Sequence, residues 1–194
     1  PFISITSVRS MPLLLLKDLP RYECLLEAAK SFPDLDPSAS EVFLNLLRAG
    51  DEVFRVADQH LARHAISQGR FTVLLLLLDK MENCPRARTP AELADMAGVT
   101  RATMTGLIDT LERDGLVSRE PDPKDGRMLS VGLTPKGEAV LHGVLPGHFK
   151  VMADVMAQLD ESERRTLVAL LNKILQQVEN VLPARPAPAG AAPA

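Results

Sequence analysis

Apolar residues recur at helical spacing through the first part of the chain. The pattern predicts a short amphipathic helix within residues 22–33. A longer apolar stripe over residues 42–61 predicts a helix of about seven turns, which Ser38 or Ser40 is expected to cap. The segment Ser67–Met81 is apolar almost all round, so it is predicted to be a buried helix.

Two helix start signals follow one another closely in the middle of the chain. Thr89-Pro90-Ala91-Glu92 combines a capping hydroxyl, a proline at the first helical position and a glutamate that closes a capping box. It predicts a helix over Pro90–Ala97. Gly98 then supplies a tight turn, Arg101–Asp114 carries a second apolar stripe, and Gly115 is expected to end that helix in a left-handed conformation. Two helices joined in this way predict a helix-turn-helix.

A β-hairpin is predicted directly after the second of these helices. Two brief strand patterns, Leu116–Glu120 and Met128–Leu133, flank a turn-rich segment, Pro121–Arg127, whose charged residues form the tip. A helix-turn-helix followed by such a hairpin is a winged helix-turn-helix. The predicted fold class is therefore mainly α, with a two-stranded β-wing and flanking helices.

Two further helices complete the pattern. Thr134-Pro135 begins a helix that is predicted to be interrupted at Pro146-Gly147, and Asp160–Glu163 is another capping box that opens a terminal helix. The small winged domain cannot cover the apolar stripes of the first and last long helices, so both are expected to form a dimer interface. The predicted organisation is an appended or processing remnant (1–10), an extra helix and a dimerisation helix (11–66), the winged domain (67–141), C-terminal dimerisation helices (142–182) and a flexible Pro/Ala-rich tail (183–194).

Composition excludes several classes of protein. With 46% hydrophobic and 24% charged residues, the 194-residue chain is neither disordered nor collagen-like. Its longest apolar run, Phe71–Leu78, is too short to span a membrane. Cys24 and Cys84 belong to no C-x-x-C pair, so a reducing cytoplasm is expected, with both thiols as small buried side chains. The sequence contains no nucleotide-binding glycine loop and no nucleophile elbow, so we predict no enzyme activity, no catalytic residue and no cofactor.

Charge is balanced overall but unevenly placed. The net charge is −3, and residues 86–136 hold eight basic and eight acidic side chains, so no excess of positive charge marks a nucleic-acid partner. The acidic residues of the predicted Arg101–Asp114 helix all lie in its C-terminal half. Its N-terminal half carries an arginine and short polar side chains. Because the start of such a helix enters the major groove and a wing tip reaches an adjacent groove, both are expected to contact DNA. The predicted DNA-binding residues are Thr100, Arg101, Thr103, Thr105, Lys124 and Arg127.

The segment Thr89–Leu141 resembles the MarR family of bacterial transcriptional regulators. The wing segment, Asp122-Pro123-Lys124-Asp125-Gly126-Arg127, is similar to the D-x-R-D-x-R motif of that family, with Lys124 in place of an arginine. The resemblance implies that Arg127 enters the minor groove and that Asp125 braces the wing by ion pairing. With the flanking dimerisation helices included, the similarity extends over Leu35–Leu182.

The resemblance also implies a function, that of a ligand-responsive homodimeric repressor. Its partner would be a pseudo-palindromic operator in double-stranded DNA. Gly106 and Thr110 stand where family members often have basic residues, so fewer phosphate contacts are expected from this helix. The segment before Asp34 is similar to the added N-terminal helix of some aromatic-acid-responsive members, and is expected to reinforce the dimer.

Members of the family usually release DNA when a small, often aromatic and anionic molecule enters a cleft between the dimer helices and the winged domain. The effector implied here is a small aromatic carboxylate of the nicotinate or phenolic type, whose carboxylate would pair with Arg70. The expected ligand-binding residues are His60, His64, Ser67, Gln68 and Arg70. An alternative is equally open, in which Arg70 makes a structural ion pair and Ser67 only caps a helix.

Two other functions are weighed against the repressor. The winged fold can serve as a protein–protein interaction module without binding DNA. His60 and His64 lie four residues apart on one helix face, a spacing that allows two imidazoles to share a metal in an enzyme. No third ligand is evident near them, so no metal site is predicted, and a solvated or pocket-lining histidine pair is the favoured interpretation.

Overall fold

A computed structural model describes residues 18–78, 87–121 and 128–181, and in these ranges the chain forms seven helices and three short strands. The helices are α1 (Tyr22–Ala29), α2 (Pro37–Ala62), α3 (Gln68–Leu77), α4 (Pro90–Ala97), α5 (Arg101–Arg113), α6 (Pro135–Val155) and α7 (Glu161–Val181). The strands are β1 (Ala87–Arg88), β2 (Val117–Pro121) and β3 (Leu129–Leu133). The chain forms two compact units, of which the first ends at Val151 and the second begins at Met152. Within the described ranges, none of the helices has the length and hydropathy that a membrane crossing requires.

The helix-turn-helix is confirmed, and its first helix has the bounds that the capping signal predicts. The Thr89 hydroxyl accepts a hydrogen bond from the Glu92 N–H at 3.3 Å, and the Glu92 carboxylate accepts one from the Thr89 N–H at 2.8 Å. This reciprocal pair is the capping box of α4. Gly98, at φ 66°, makes the turn between α4 and α5, in a region of backbone conformation that favours glycine.

The two strands of the wing pair as an antiparallel hairpin, with Val117 opposite Leu133. A third strand, β1, was not predicted. It pairs with the other side of β3, where Ala87 lies opposite Gly132, so the sheet order is β1-β3-β2. Two residues are too few to show a strand pattern in a sequence, because pairing with β3 is what makes them a strand. The wing tip, 122–127, lies outside the described residues.

The cap of α2 differs from its prediction. Asp36, and neither Ser38 nor Ser40, caps this helix, with Pro37 at its first position. The Asp36 carboxylate accepts hydrogen bonds from the N–H groups of Ser38 at 2.9 Å and Ala39 at 3.0 Å. Hydrogen bonds to the carboxylate lower the pKa of Asp36. The bond from the Ala39 N–H has the largest effect, and the bond from the Ser38 hydroxyl the next largest. An aspartate directly before a proline supplies both the cap acceptor and a preset first φ angle, which favours it over either serine.

The predicted interruption of α6 is also wrong, since α6 is a continuous helix with Pro146 inside it. A proline removes one helical N–H donor and normally kinks or breaks a helix. Here the turn before it is anchored in the core by Leu141, Val144 and Leu145, all of them buried. Tertiary packing therefore holds the helix together across the proline.

Two smaller predictions change as well. The helix α3 ends at Leu77, before the predicted Met81, and residues 79–81 lie outside the described ranges. Cys24 is exposed on α1, so the expectation that it is buried is wrong. Cys84 lies outside the described residues.

The hydrophobic core of the first unit is formed by α3, α4, α5, the two wing strands, the end of α2 and the early turns of α6. After α2, Ala65 adopts a left-handed φ of 55°, and the Ile66 N–H reaches the Leu61 carbonyl at 3.2 Å. This turn brings Ile66 into the core. Fully buried side chains include Leu61, Phe71, Val73, Leu74, Leu93, Met104, Ile108, Leu111, Val131 and Leu141.

Candidate nucleic-acid interface and neighbouring ligand region

The start of α5 presents polar side chains to solvent. Met104 and Ile108, both fully buried, fix the inward face of the helix, so Arg101 and Thr105 lie on its exposed side. The exposed Thr100 caps the helix by accepting from the Thr103 N–H. Three of the four residues predicted on this helix are thus exposed.

Thr103 is the exception among the four. It is half-buried, and its hydroxyl lies 2.8 Å from the hydroxyl of Thr100, so it forms part of the cap. The remaining N–H groups of the first turn and the positive end of the helix dipole make this end of α5 favourable for a phosphate. Lys124, Asp125 and Arg127 lie outside the described residues, so their roles stay predictions.

Two small residues complete the exposed face near the start of α5. Ala102 and Gly106 are exposed, and a Cβ added at Gly106 would meet no atom within 4 Å. Because these side chains are small, the backbone of a binding partner can approach the helix closely at this point. Sequence reasoning did not place them in the site, because neither side chain carries a chemical signal.

The acidic half of α5 is neutralised from the wing. Arg119 on β2 pairs with both Asp109 and Glu112 on α5. The hydrogen bond with Asp109 is the main reason why the pKa of Arg119 lies above its ordinary value. This double ion pair fixes β2 to the back of α5 and leaves the start of the helix as its electropositive end.

The C-terminal end of α5 is held by the start of α6. Gly115, at φ 72°, turns the chain, and its carbonyl accepts a hydrogen bond from the Thr134 hydroxyl at 2.7 Å. The Thr134 N–H donates to the Leu116 carbonyl at 3.1 Å. The Lys136 ammonium donates to the main-chain carbonyl of Asp114 at 2.7 Å. The orientation of α5 therefore depends on α6 as well as on the core.

Two of the predicted effector residues, Ser67 and Arg70, make contacts within the protein. Arg70 forms an ion pair with Asp114, the C-cap residue of α5, and the Ser67 hydroxyl caps α3, 3.5 Å from the Arg70 N–H. These contacts are those of the alternative interpretation given above. Among the described residues, Gln68 Oε1 and Arg70 Nε are buried polar atoms that lack a hydrogen-bond partner.

The structure brings His60 and His64 together with a third histidine. The His60 ring centroid lies 5.1 Å from that of His64 and 5.9 Å from that of His148. His148 packs edge-on against Phe71 at 4.7 Å, and its Nδ1 is another buried atom without a partner in the described part of the chain. Sequence spacing could not reveal this contact, because His148 comes from α6 and His60 from α2. In the described ranges, no group of three or more His, Cys, Asp or Glu side chains could hold a metal ion.

Acidification is expected to destabilise the protein through His148. Burial, and after it the charge of His60, lowers the pKa of this imidazole. The unfolded chain therefore takes up this proton at a higher pH than the folded chain. The contribution of His148 to stability is complete above its unfolded pKa of about 6.5 and is lost as the pH falls towards the folded value.

Urea unfolding at about pH 7.5 and about pH 5.5 measures this loss. We expect His148→Gln to reduce the difference in unfolding free energy between the two conditions. The matched control is His142→Gln, which changes an exposed histidine of the same helix. An equal effect of the two substitutions would contradict the assignment to His148.

Comparison with known proteins gives the family. Residues 66–129 match the model of the MarR family. The chain is 36% identical over 163 residues to the HTH-type transcriptional repressor YetL of Bacillus subtilis, in an alignment that covers 84% of this chain and 96% of that protein.

Two solved structures agree with this match. A mutant of MarR from E. coli complexed with operator DNA is similar at a TM-score of 0.60 and 26% identity, covering 73% of this chain and 99% of that one. The second is a structure of BpsR from Bordetella bronchiseptica, reported for the mechanism by which 6-hydroxynicotinic acid regulates its DNA binding. It is similar at a TM-score of 0.58 and 26% identity, covering 66% of this chain and 89% of that one. With the observed winged helix-turn-helix, these matches show that the chain belongs to the MarR family of transcriptional regulators.

Proposed function

We propose that this chain is a homodimeric repressor that binds a pseudo-palindromic operator and releases it when a small aromatic carboxylate binds. The observation that carries the proposal is the polarity of α5. Its start presents Arg101 to solvent, whereas the carboxylates of its far half are paired with Arg119 and Arg70. A helix with this layout attracts phosphate at one end and carries little free negative charge at the other.

Specific contacts rather than bulk charge would hold the operator. The net charge is −3, so the long-range attraction to DNA is weak. In our proposal the threonines and Arg101 at the start of α5 contact base edges and phosphate in the major groove, while Lys124 and Arg127 reach the adjacent minor groove. A protein–protein module without DNA binding is the alternative, and it gives no reason for an exposed arginine at the start of α5.

Replacing Arg101 with alanine tests the proposal. We expect operator affinity to fall about tenfold, because one phosphate or base contact is lost. The slope of log K against log[salt] should become shallower by about one. The measurement is fluorescence anisotropy over a salt series, on a duplex that the wild-type protein selects from a random library.

Arg113→Ala is the matched control for this experiment. It removes the same charge from the exposed far end of the same helix. Equal losses in the two variants would mean that only net charge matters, which contradicts a specific role for the start of α5. A wild-type protein that selects no duplex would favour the protein–protein module.

Homodimer formation is supported by apolar faces on the flanking helices. On α2 the exposed apolar side chains are Val42, Phe43, Val53 and Phe54. On α7, in the second unit, they are Leu167, Val168, Leu170, Leu175, Val178 and Val181. Faces of this kind are typical of subunit interfaces. A twofold dimer would place its two α5 helices in half-sites about one turn of DNA apart, which is why the operator is proposed to be pseudo-palindromic.

The proposed effector is a nicotinate-type or phenolic acid. The similarity to BpsR, whose DNA binding is regulated by 6-hydroxynicotinic acid, supports the nicotinate type. The proposed ligand-binding residues are those of the sequence prediction: His60, His64, Ser67, Gln68 and Arg70. Within the described ranges, Gln68, Arg70 and His148 each have a buried polar atom that lacks a hydrogen-bond partner. These atoms support the proposed site, since a buried polar atom is costly unless a ligand or water satisfies it.

A further inference from the structure

We infer that Asp114 and the effector carboxylate compete for one guanidinium, that of Arg70, so that effector binding releases the C-terminal end of α5. This inference rests on the proposed function, because it requires a carboxylate effector and operator binding through α5. Asp114 thereby becomes an internal competitor of the effector. Because Asp114 caps α5, this competition would connect the effector site to the DNA-binding helix.

The first support is the unequal exposure of the two partners. The Arg70 side chain is 19% exposed, whereas that of Asp114 is 45% exposed. Asp114 can therefore turn into water with little loss of solvation, while the guanidinium stays enclosed and needs an anion to replace it. Arg70 also has a buried Nε without a partner in the described part of the chain, so its donors are incompletely used in the present pair.

The second support is the position of Asp114 in the helix. It is the C-cap residue of α5, where the helix dipole is negative and an unpaired carboxylate is unfavourable. Arg70 offsets that charge, so its removal leaves Asp114 repelled by the end of its own helix. The Asp114 carbonyl also accepts from Lys136, and the neighbouring Gly115 carbonyl accepts from Thr134. Displacing Asp114 would thus strain the junction that sets the orientation of α5.

The competition specifies the ligand chemistry. A planar carboxylate can accept from two guanidinium N–H groups at once. The Asp114 carboxylate is paired with a single Arg70 nitrogen, Nη2, through its Oδ2 atom. A neutral amide of the same shape carries no charge to offset the loss of the ion pair. Nicotinate and 6-hydroxynicotinate are therefore expected to displace Asp114, whereas nicotinamide is not.

The test measures the binding of these three probes to the full chain by calorimetry, and operator affinity without any probe. Arg70→Gln is expected to abolish nicotinate binding. Asp114→Asn is expected to tighten it about threefold, because a half-exposed ion pair no longer competes. Nicotinamide should bind none of the variants measurably.

Operator affinity without probe tests the other half of the inference. Arg70→Gln and Asp114→Asn should each weaken binding to the selected duplex about threefold, and the double variant should be no weaker than either. Asp58→Asn, which removes one exposed negative charge from α2, is the charge-matched control for Asp114→Asn.

The outcomes separate this inference from the proposed function. Nicotinate binding that depends on Arg70 but is unchanged in Asp114→Asn would overturn the competition alone, as would additive losses of operator affinity. A wild-type protein that binds its duplex but neither carboxylate would overturn the proposed effector, and the inference with it.

Discussion

Replacing Gly137 with alanine is expected to destabilise the protein by about 3 kcal/mol or more. Gly137 lies in the first turn of α6, where its main chain packs on the carbonyl of Leu116. An added Cβ would overlap the Leu116 carbonyl oxygen and lie 3.0 Å from the carbonyl carbon and 3.2 Å from a methyl of Leu133. The oxygen cannot turn away, since the Thr134 N–H holds it at 3.1 Å. The start of α6 would have to move instead.

Gly143→Ala is the matched control for Gly137→Ala. It lies in the same helix, and a Cβ there would meet no atom within 4 Å. Because alanine is the better helix former, this substitution is expected to stabilise the protein by up to about 1 kcal/mol. Urea unfolding should therefore give opposite signs for the two variants. Equal stabilities would contradict the docking of α6 on the end of α5.

The second large effect is expected at Gly147, where alanine should destabilise the protein by about 2 kcal/mol. A Cβ at this position would lie 2.6 Å from Cε1 and 3.3 Å from Nε2 of His60. The obstacle is a side chain rather than main chain, so the cost is smaller than at Gly137. The buried His60 ring would have to move to make room for the methyl group. It would then leave its present place, where His60 Nε2 lies 3.4 Å from the Val144 carbonyl oxygen.

A double-mutant cycle identifies His60 as the cause. His60→Ala removes the ring that the new methyl group meets, so the double variant should be more stable than the sum of the two single losses predicts. The unfolding free energies of the four proteins give the coupling directly. Additive losses would mean that Gly147→Ala acts elsewhere, and that the packing of α2 on α6 at this point contributes little.

These two glycines illustrate what the sequence could not reveal. Both lie in a helix, where glycine is unfavourable. Their role depends on Leu116 and His60, which belong to other parts of the chain. The predicted break at Pro146-Gly147 was wrong for a related reason. The core contacts that keep α6 continuous across the proline come from other parts of the chain and leave no local signal.

Local signals predicted the helix-turn-helix and most of its bounds. The capping boxes at Thr89 and Asp160 join atoms three residues apart, so the sequence contains all the information that they need. The cap of α2 was the exception, because two serines competed with Asp36 for the same role. The exposed start of α5 followed from helical periodicity, which fixes the buried face and hence the opposite one.

The sequence by itself therefore determined the helices, the two wing strands, their order and the polar start of α5, because these depend on hydrogen bonds and spacings within a few residues. Only the tertiary structure decided which distant groups meet. It paired Arg70 with Asp114 and Arg119 with two acids of α5, and it placed His148 beside His60. Such contacts arise from the packing of whole helices, which fixes the positions of side chains far apart in the chain.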